Sequence, residues 1–69
     1  MIKSNLKSLL HERKMTQLQL VEITKIRQPT ISAIANDSLL RIPIDVLDRI
    51  CEALDCNVGD LFEYVKEEK

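Results

Sequence analysis

Tryptophan is absent from this chain, Phe62 and Tyr64 are its only aromatic residues, and 69 residues hold one glycine and two prolines. So few rings leave no means of stacking a cofactor. A single glycine excludes a glycine-rich phosphate cradle, which needs several residues free of a Cβ. No run of 18 apolar residues occurs, so no segment reads as a membrane-spanning helix. The opening MIKSNLKSLLHERK is too polar for a signal peptide, and the protein is expected to reside in the cytoplasm with no membrane partner.

Catalytic and metal chemistry are as thinly provided. Histidine occurs once, as His11, no nucleophile stands beside a base, and no carboxylate pair is enclosed by apolar residues, so no enzyme is expected. Cys51 and Cys56 are separated by four residues, a gap that zinc sites do use, but a second ligand pair is missing. Cys51 instead continues the stripe Leu47, Ile50, Leu54, and Cys56 precedes the last helix opposite Leu61, at the position of a hydrophobic staple. Both thiols read as small buried hydrophobes, and His11 as a solvated group. No cofactor and no metal is expected. A small-molecule ligand is not expected either, because a domain of this size would have to empty its own core to form a pocket.

What the chain does have is aliphatic residues at helical spacing. Its length allows one domain, residues 1–69, with a modest core, since so small a chain hides only about 60% of its extended surface. The pattern predicts an all-α fold of five helices, about Ser4 to Arg13, Gln17 to Thr24, Gln28 to Ala35, Pro43 to Leu54 and Val58 to Tyr64. Ile2, Leu6, Leu9 and Leu10 form the inward stripe of the first, with Lys3, Lys7 and Arg13 outside. Pro43 opens the fourth, with Asp45 and Asp48 in or near its opening turns, where the helix dipole favours acids. Asn57 caps the fifth, and Asp60 stands three residues on. The last residues, Lys66 to Lys69, are expected to fray.

Residues 16–36, TQLQLVEITKIRQPTISAIAN, carry the functional signal. Thr16 and Gln19 have the spacing of a capping box, Met15 and Leu20 that of a staple, and Leu20, Val21 and Thr24 give one inward face. Ile26 plugs the turn. Pro29 fits the first turn of the next helix, where an amide would have no partner, and Ile31 and Ile34 are its buried pair. Two short helices joined so tightly make a helix-turn-helix unit. The outer side of the second holds Gln28, Thr30, Ser32, Ala33 and Asn36, short polar or small groups that suit the major groove of double-stranded DNA.

The segment resembles the helix-turn-helix of the lambda-repressor-like, or XRE, family of phage and bacterial DNA-binding proteins. Thr16-Gln17, Leu20, Ile26, Gln28 to Ser32, Ile34 and Asn36 carry the likeness. It extends over nearly the whole chain through Asn5-Leu6-Lys7, Arg41-Ile42-Pro43, Leu47-Asp48, the stretch Cys51 to Cys56, and Gly59-Asp60-Leu61. The resemblance implies a transcriptional regulator of the small repressor type. Lys25 stands where this family often has glycine, Arg27 where it has a serine or threonine cap, and Val21 where it has alanine. Ala33 and Ala35 replace longer polar residues, which thins direct readout and shifts weight to DNA shape.

Roles follow from position. Gln17, at a helix start, is expected to anchor a phosphate. Gln28 is the best candidate for a base contact, because an amide can make two hydrogen bonds to adenine. Thr30 and Ser32 can reach a base edge or a phosphate, Ala33 can lie against a thymine methyl, and Pro29 sets the start of the helix. Lys25, Arg27, Asn36 and Arg41 surround that helix and are expected to hold the strands.

Charge is polarised along the chain. Residues 1–41 carry seven cations and three anions, residues 42–69 three cations and eight anions, and the formal net is −1. Such a molecule can turn its basic part to a duplex. One recognition helix reads only a few base pairs, so a homodimer on two half-sites is expected. Leu18, Ile23, Leu39, Leu40 and Val46 are the apolar residues left over for pairing. The acidic half and the thin readout face also fit a protein-interaction module of the same fold, antitoxin- or antirepressor-like, without DNA binding of its own.

Overall fold

Seven elements follow one another in the computed structural model, which describes residues 1–66: β1 (Ile2–Ser4), α1 (Leu6–Glu12), α2 (Gln17–Thr24), α3 (Gln28–Ala35), α4 (Ile44–Leu54), α5 (Val58–Leu61) and β2 (Phe62–Tyr64). Of the tail expected to fray, residues 67–69 lie outside the described residues. Every helix contributes one side chain of 0% exposure to a shared centre: Leu6, Leu20, Ile31, Ile50 and Leu61. Leu9, Leu10, Ile26, Ile34, Ala35 and Leu54 complete that core, with Met15, Val21 and Phe62 half-buried against it.

The five-helix, mostly helical fold is present, with one correction at its ends. Ile2 to Ser4 and Phe62 to Tyr64 are not the outer turns of helices but two antiparallel strands, paired Ile2 with Tyr64, Lys3 with Glu63 and Ser4 with Phe62. The Asn5 amide donates to the Leu61 carbonyl at 2.7 Å, and the Val65 amide to the Met1 carbonyl at 2.7 Å, so the backbone pairing runs past both strands. Ile2 consequently leaves the inward stripe and is 60% exposed. Pro43, in turn, is the N-cap of α4 rather than its first residue.

Three further residues sit differently from the expectation. Arg13 does not simply face solvent: its Nε donates to the Leu54 carbonyl at 2.7 Å, placing a cation at the C-terminal end of α4 where the helix dipole favours one. Cys51 and Cys56 are free thiols, half-buried rather than buried. Partial burial, with Cys51 beside it, pushes the Cys56 thiol above its ordinary pKa, so it stays protonated.

Helix ends show where the scarcity of glycine is felt. Lys14, Lys25, Asp37 and Asp55 all have positive φ, between 50° and 60°, following α1, α2, α3 and α4 in that order. After α1 the Met15 amide reaches back to the Leu10 carbonyl at 2.9 Å and the Lys14 amide to His11 at 3.1 Å; after α3 Ser38 reaches Ala33 at 2.9 Å and Asp37 reaches Ile34 at 3.3 Å. These are Schellman closures, which ordinarily employ glycine at the left-handed position. The only glycine, Gly59, lies inside α5 and does not have positive φ.

Candidate nucleic-acid interface

Local hydrogen bonds fix the first helix of the unit. The Gln19 amide donates to Thr16 Oγ1 at 3.1 Å, and the Thr16 amide to Gln19 Oε1 at 2.8 Å, closing the capping box at the start of α2. Lys25 ends the helix in the left-handed region, at φ 60°, with its amide on the Val21 carbonyl at 2.8 Å. Thr24, the only buried polar side chain among the described residues, braces the turn: its hydroxyl donates to the Leu20 carbonyl at 2.7 Å and accepts the Ile26 amide at 3.2 Å. The sequence marked Thr24 as inward-facing; its role in holding the angle between two helices became visible only in the fold.

Arg27 is the N-cap of α3, and its side chain makes no capping bond. The Arg27 carbonyl instead receives the Thr30 and Ile31 amides at 3.0 and 3.2 Å, and Pro29 occupies the first turn. Ile31, Ile34 and Ala35 are buried, which fixes how α3 is rotated about its axis. At about 100° per residue the opposite side is centred on Pro29 and Asn36, with Ser32 and Ala33 beside them and Gln28 and Thr30 at the two margins. Gln28, Pro29 and Asn36 are exposed, whereas Thr30, Ser32 and Ala33 are half-buried. Asn36 Nδ2 donates to Ser32 Oγ at 3.4 Å, so these two are already oriented along the strip.

The structure therefore brings Gln28, Pro29, Ser32 and Asn36 onto one solvent-facing strip. Ala33 stands at its border, where it also lines an apolar groove with Leu39, Leu40 and Ile42. Lys25 and Arg27 are exposed in the turn before α3, Arg41 in the connection after it, and Gln17 is half-buried at the start of α2. Among the described residues the one ion pair within 4.0 Å joins Arg13 and Glu12 at 3.7 Å, so the cations around α3 are not neutralised by a neighbouring carboxylate.

One residue beside this strip escaped the sequence reading. Asp37 counted there only as a charge, yet its carboxylate accepts the Ser4 amide at 2.7 Å and ties the end of α3 to β1. No local signal marks a bond between residues 33 positions apart.

The profile of the Cro/C1-type helix-turn-helix DNA-binding domain matches residues 5–67. An uncharacterised HTH-type transcriptional regulator, YozG of Bacillus subtilis strain 168, is 34% identical over 64 residues, which are 93% of this chain and 76% of that protein. The crystal structure of the transcriptional regulator VanUg superposes with a TM-score of 0.78 at 30% identity, covering 96% of this chain and 87% of that one.

Proposed function

Since the chain belongs to the Cro/C1-type helix-turn-helix DNA-binding family, we propose that it is a sequence-specific transcriptional regulator, a repressor, that inserts α3 into the major groove and works as a homodimer in the cytoplasm. The observation that carries this reading is the solvent-facing strip of exposed Gln28, Pro29 and Asn36 with half-buried Ser32 among them, flanked by unneutralised Lys25, Arg27 and Arg41. A core-facing helix has no use for such a strip, and the major groove admits one helix and offers donors and acceptors to match. Gln28 is proposed to read a base, Ser32 and Asn36 a base edge or phosphate, Thr30 a phosphate at the margin, Ala33 a thymine methyl, and Gln17 with the cations the backbone. The matched relatives named as transcriptional regulators support the same assignment.

The acidic C-terminal half and the partial burial of Thr30, Ser32 and Ala33 favour a second reading, an interaction module without DNA binding. Selection from a random duplex pool at low salt separates the two. Recovery of a common, palindromic sequence supports the regulator, and failure to retain any duplex at low salt supports the module. On the selected site Gln28→Ala should erode discrimination at one base position by about 1–3 kcal/mol, while Arg27→Ala should weaken all duplexes alike.

A further inference from the structure

We propose that Cys51 and Cys56 form a reversible oxidation site, a pair of thiols that a hydroperoxide converts to an intrachain disulfide. The corner after α4 puts them together. The Cys56 amide donates to the Cys51 carbonyl at 3.0 Å and the Asp55 amide to the Glu52 carbonyl at 3.4 Å, around Asp55 in left-handed backbone at φ 50°. This is the closure also seen after α1 and α3, and its two outermost residues ordinarily pack apolar side chains on each other. Here both of them are cysteines.

The reach is sufficient for a bond. The 3.0 Å contact, with the covalent lengths on either side of it, holds the two Cα atoms within about 7 Å, the outer limit for bridging without backbone movement. The thiols themselves lie against each other, and the Cys51 thiol is one reason why Cys56 keeps its proton. Both are free and half-buried beside the core. Cys51 also lines an apolar groove of about 360 Å³ with Ile44, Leu47 and Val58, which opens it to a small oxidant.

These positions divide the reaction between the two sulfurs. Cys51 Sγ, as the thiolate, attacks one oxygen of the hydroperoxide; the O–O bond breaks, and the other oxygen leaves as an alkoxide that is protonated to the alcohol. Cys51 is left as the sulfenic acid. Cys56 Sγ then attacks that sulfur: the S–S bond forms, the S–O bond breaks, and the hydroxide released takes the Cys56 proton and leaves as water. The two thiols give up two electrons, and the peroxide takes them. Burial first, and the neighbouring thiol second, push the Cys56 thiol up from its ordinary pKa, which suits it to the second step and not to meeting the oxidant. Arg13 of α1 and Asp60 of α5 act on that proton in opposite directions. The bridge would tie the end of α4 to the residue before the Asn57 cap of α5, where no DNA contact is assigned, so the site stands apart from the DNA-binding reading.

Intact-mass measurement of the full chain after a molar excess of hydrogen peroxide, without reductant, tests this. The expected product is a single chain lighter by two hydrogen atoms, with both free thiols lost together and restored by dithiothreitol. At micromolar protein the intrachain product should exceed chain-to-chain disulfide by about tenfold or more, because the second thiol is tethered beside the first. Cys56→Ser should stop at the Cys51 sulfenic acid, heavier by one oxygen and captured by dimedone, while Cys51→Ser should leave Cys56 unoxidised at the same dose. Should either variant fail to fold, the wild-type product alone decides. Two thiols still intact, bridges formed only between chains, or sulfenic and sulfinic acids in place of the bridge overturn the proposal. Oxidation of Cys51→Ser as fast as the wild type overturns the order of the two steps.

Discussion

Four residues in left-handed backbone each hold a Cβ against a carbonyl, a conformation that costs an L-residue roughly 1 kcal/mol more than glycine. Lys14 isolates that effect, because it lies outside the α2–α3 unit and its side chain makes no hydrogen bond to the described residues. Lys14→Gly should stabilise the protein by about 0.5–1 kcal/mol, the added freedom of the unfolded chain offsetting part of the gain, and raise Tm by a few degrees. Lys25→Gly should do the same to Tm while weakening every duplex, so stability and binding move in opposite directions. Asp37→Gly should gain little, since it also removes the acceptor of the Ser4 amide. Thr24→Val keeps the shape and deletes the hydroxyl, leaving the buried Ile26 amide without its partner. The expected loss, read by thermal denaturation, is about 1–3 kcal/mol.

Elements differ in how openly the sequence displays them, and the reason is distance along the chain. The bounds of α2 and α3 read from residues 16–36 coincide with the structure because their signals are local: a capping box spanning three residues, a proline in the first turn, and apolar spacing inside eight residues. The strands went unrecognised, and the first and last helices were extended over Ser4 and over Phe62 to Tyr64, because β1 and β2 exist only as a pair, joined across some sixty residues, and three-residue strands carry too little alternation to be noticed singly. At the site the same rule holds. The exposure of Gln28 follows from its place at the start of α3, and that of Lys25, Arg27 and Arg41 from charge on connecting segments, whereas the groove wall at Ala33 and the bond of Asp37 require knowing where the sheet lies. Because α2 depends on its own cap, Thr16→Ala should cost about 1 kcal/mol of stability by thermal denaturation and leave the α3 surface unaltered.

At the scale of the whole molecule, polarity in charge sets how binding responds to its medium. Residues 1–41 supply the cations around α3, and the acidic excess belongs to residues 42–69, so the formal charge of −1 understates the attraction at the working surface. If Lys25, Arg27 and Arg41 each neutralise one phosphate, the logarithm of affinity should fall against the logarithm of salt with a slope of about −3 per copy. Titrating a labelled duplex between 50 and 200 mM salt measures it, and Arg41→Ala should flatten the slope by about one.

The Met1 ammonium lies 2.6 Å from the Val65 carbonyl, with the two strands running antiparallel away from that point. Tension applied at these two positions would therefore load the sheet's hydrogen bonds one after another, as a zipper, and not all together, as a shear joint. The sheet would peel away at low force while the core through Leu6, Leu20 and Ile31 still held. In this fold the two chain ends would thus part before the unit formed by α2 and α3.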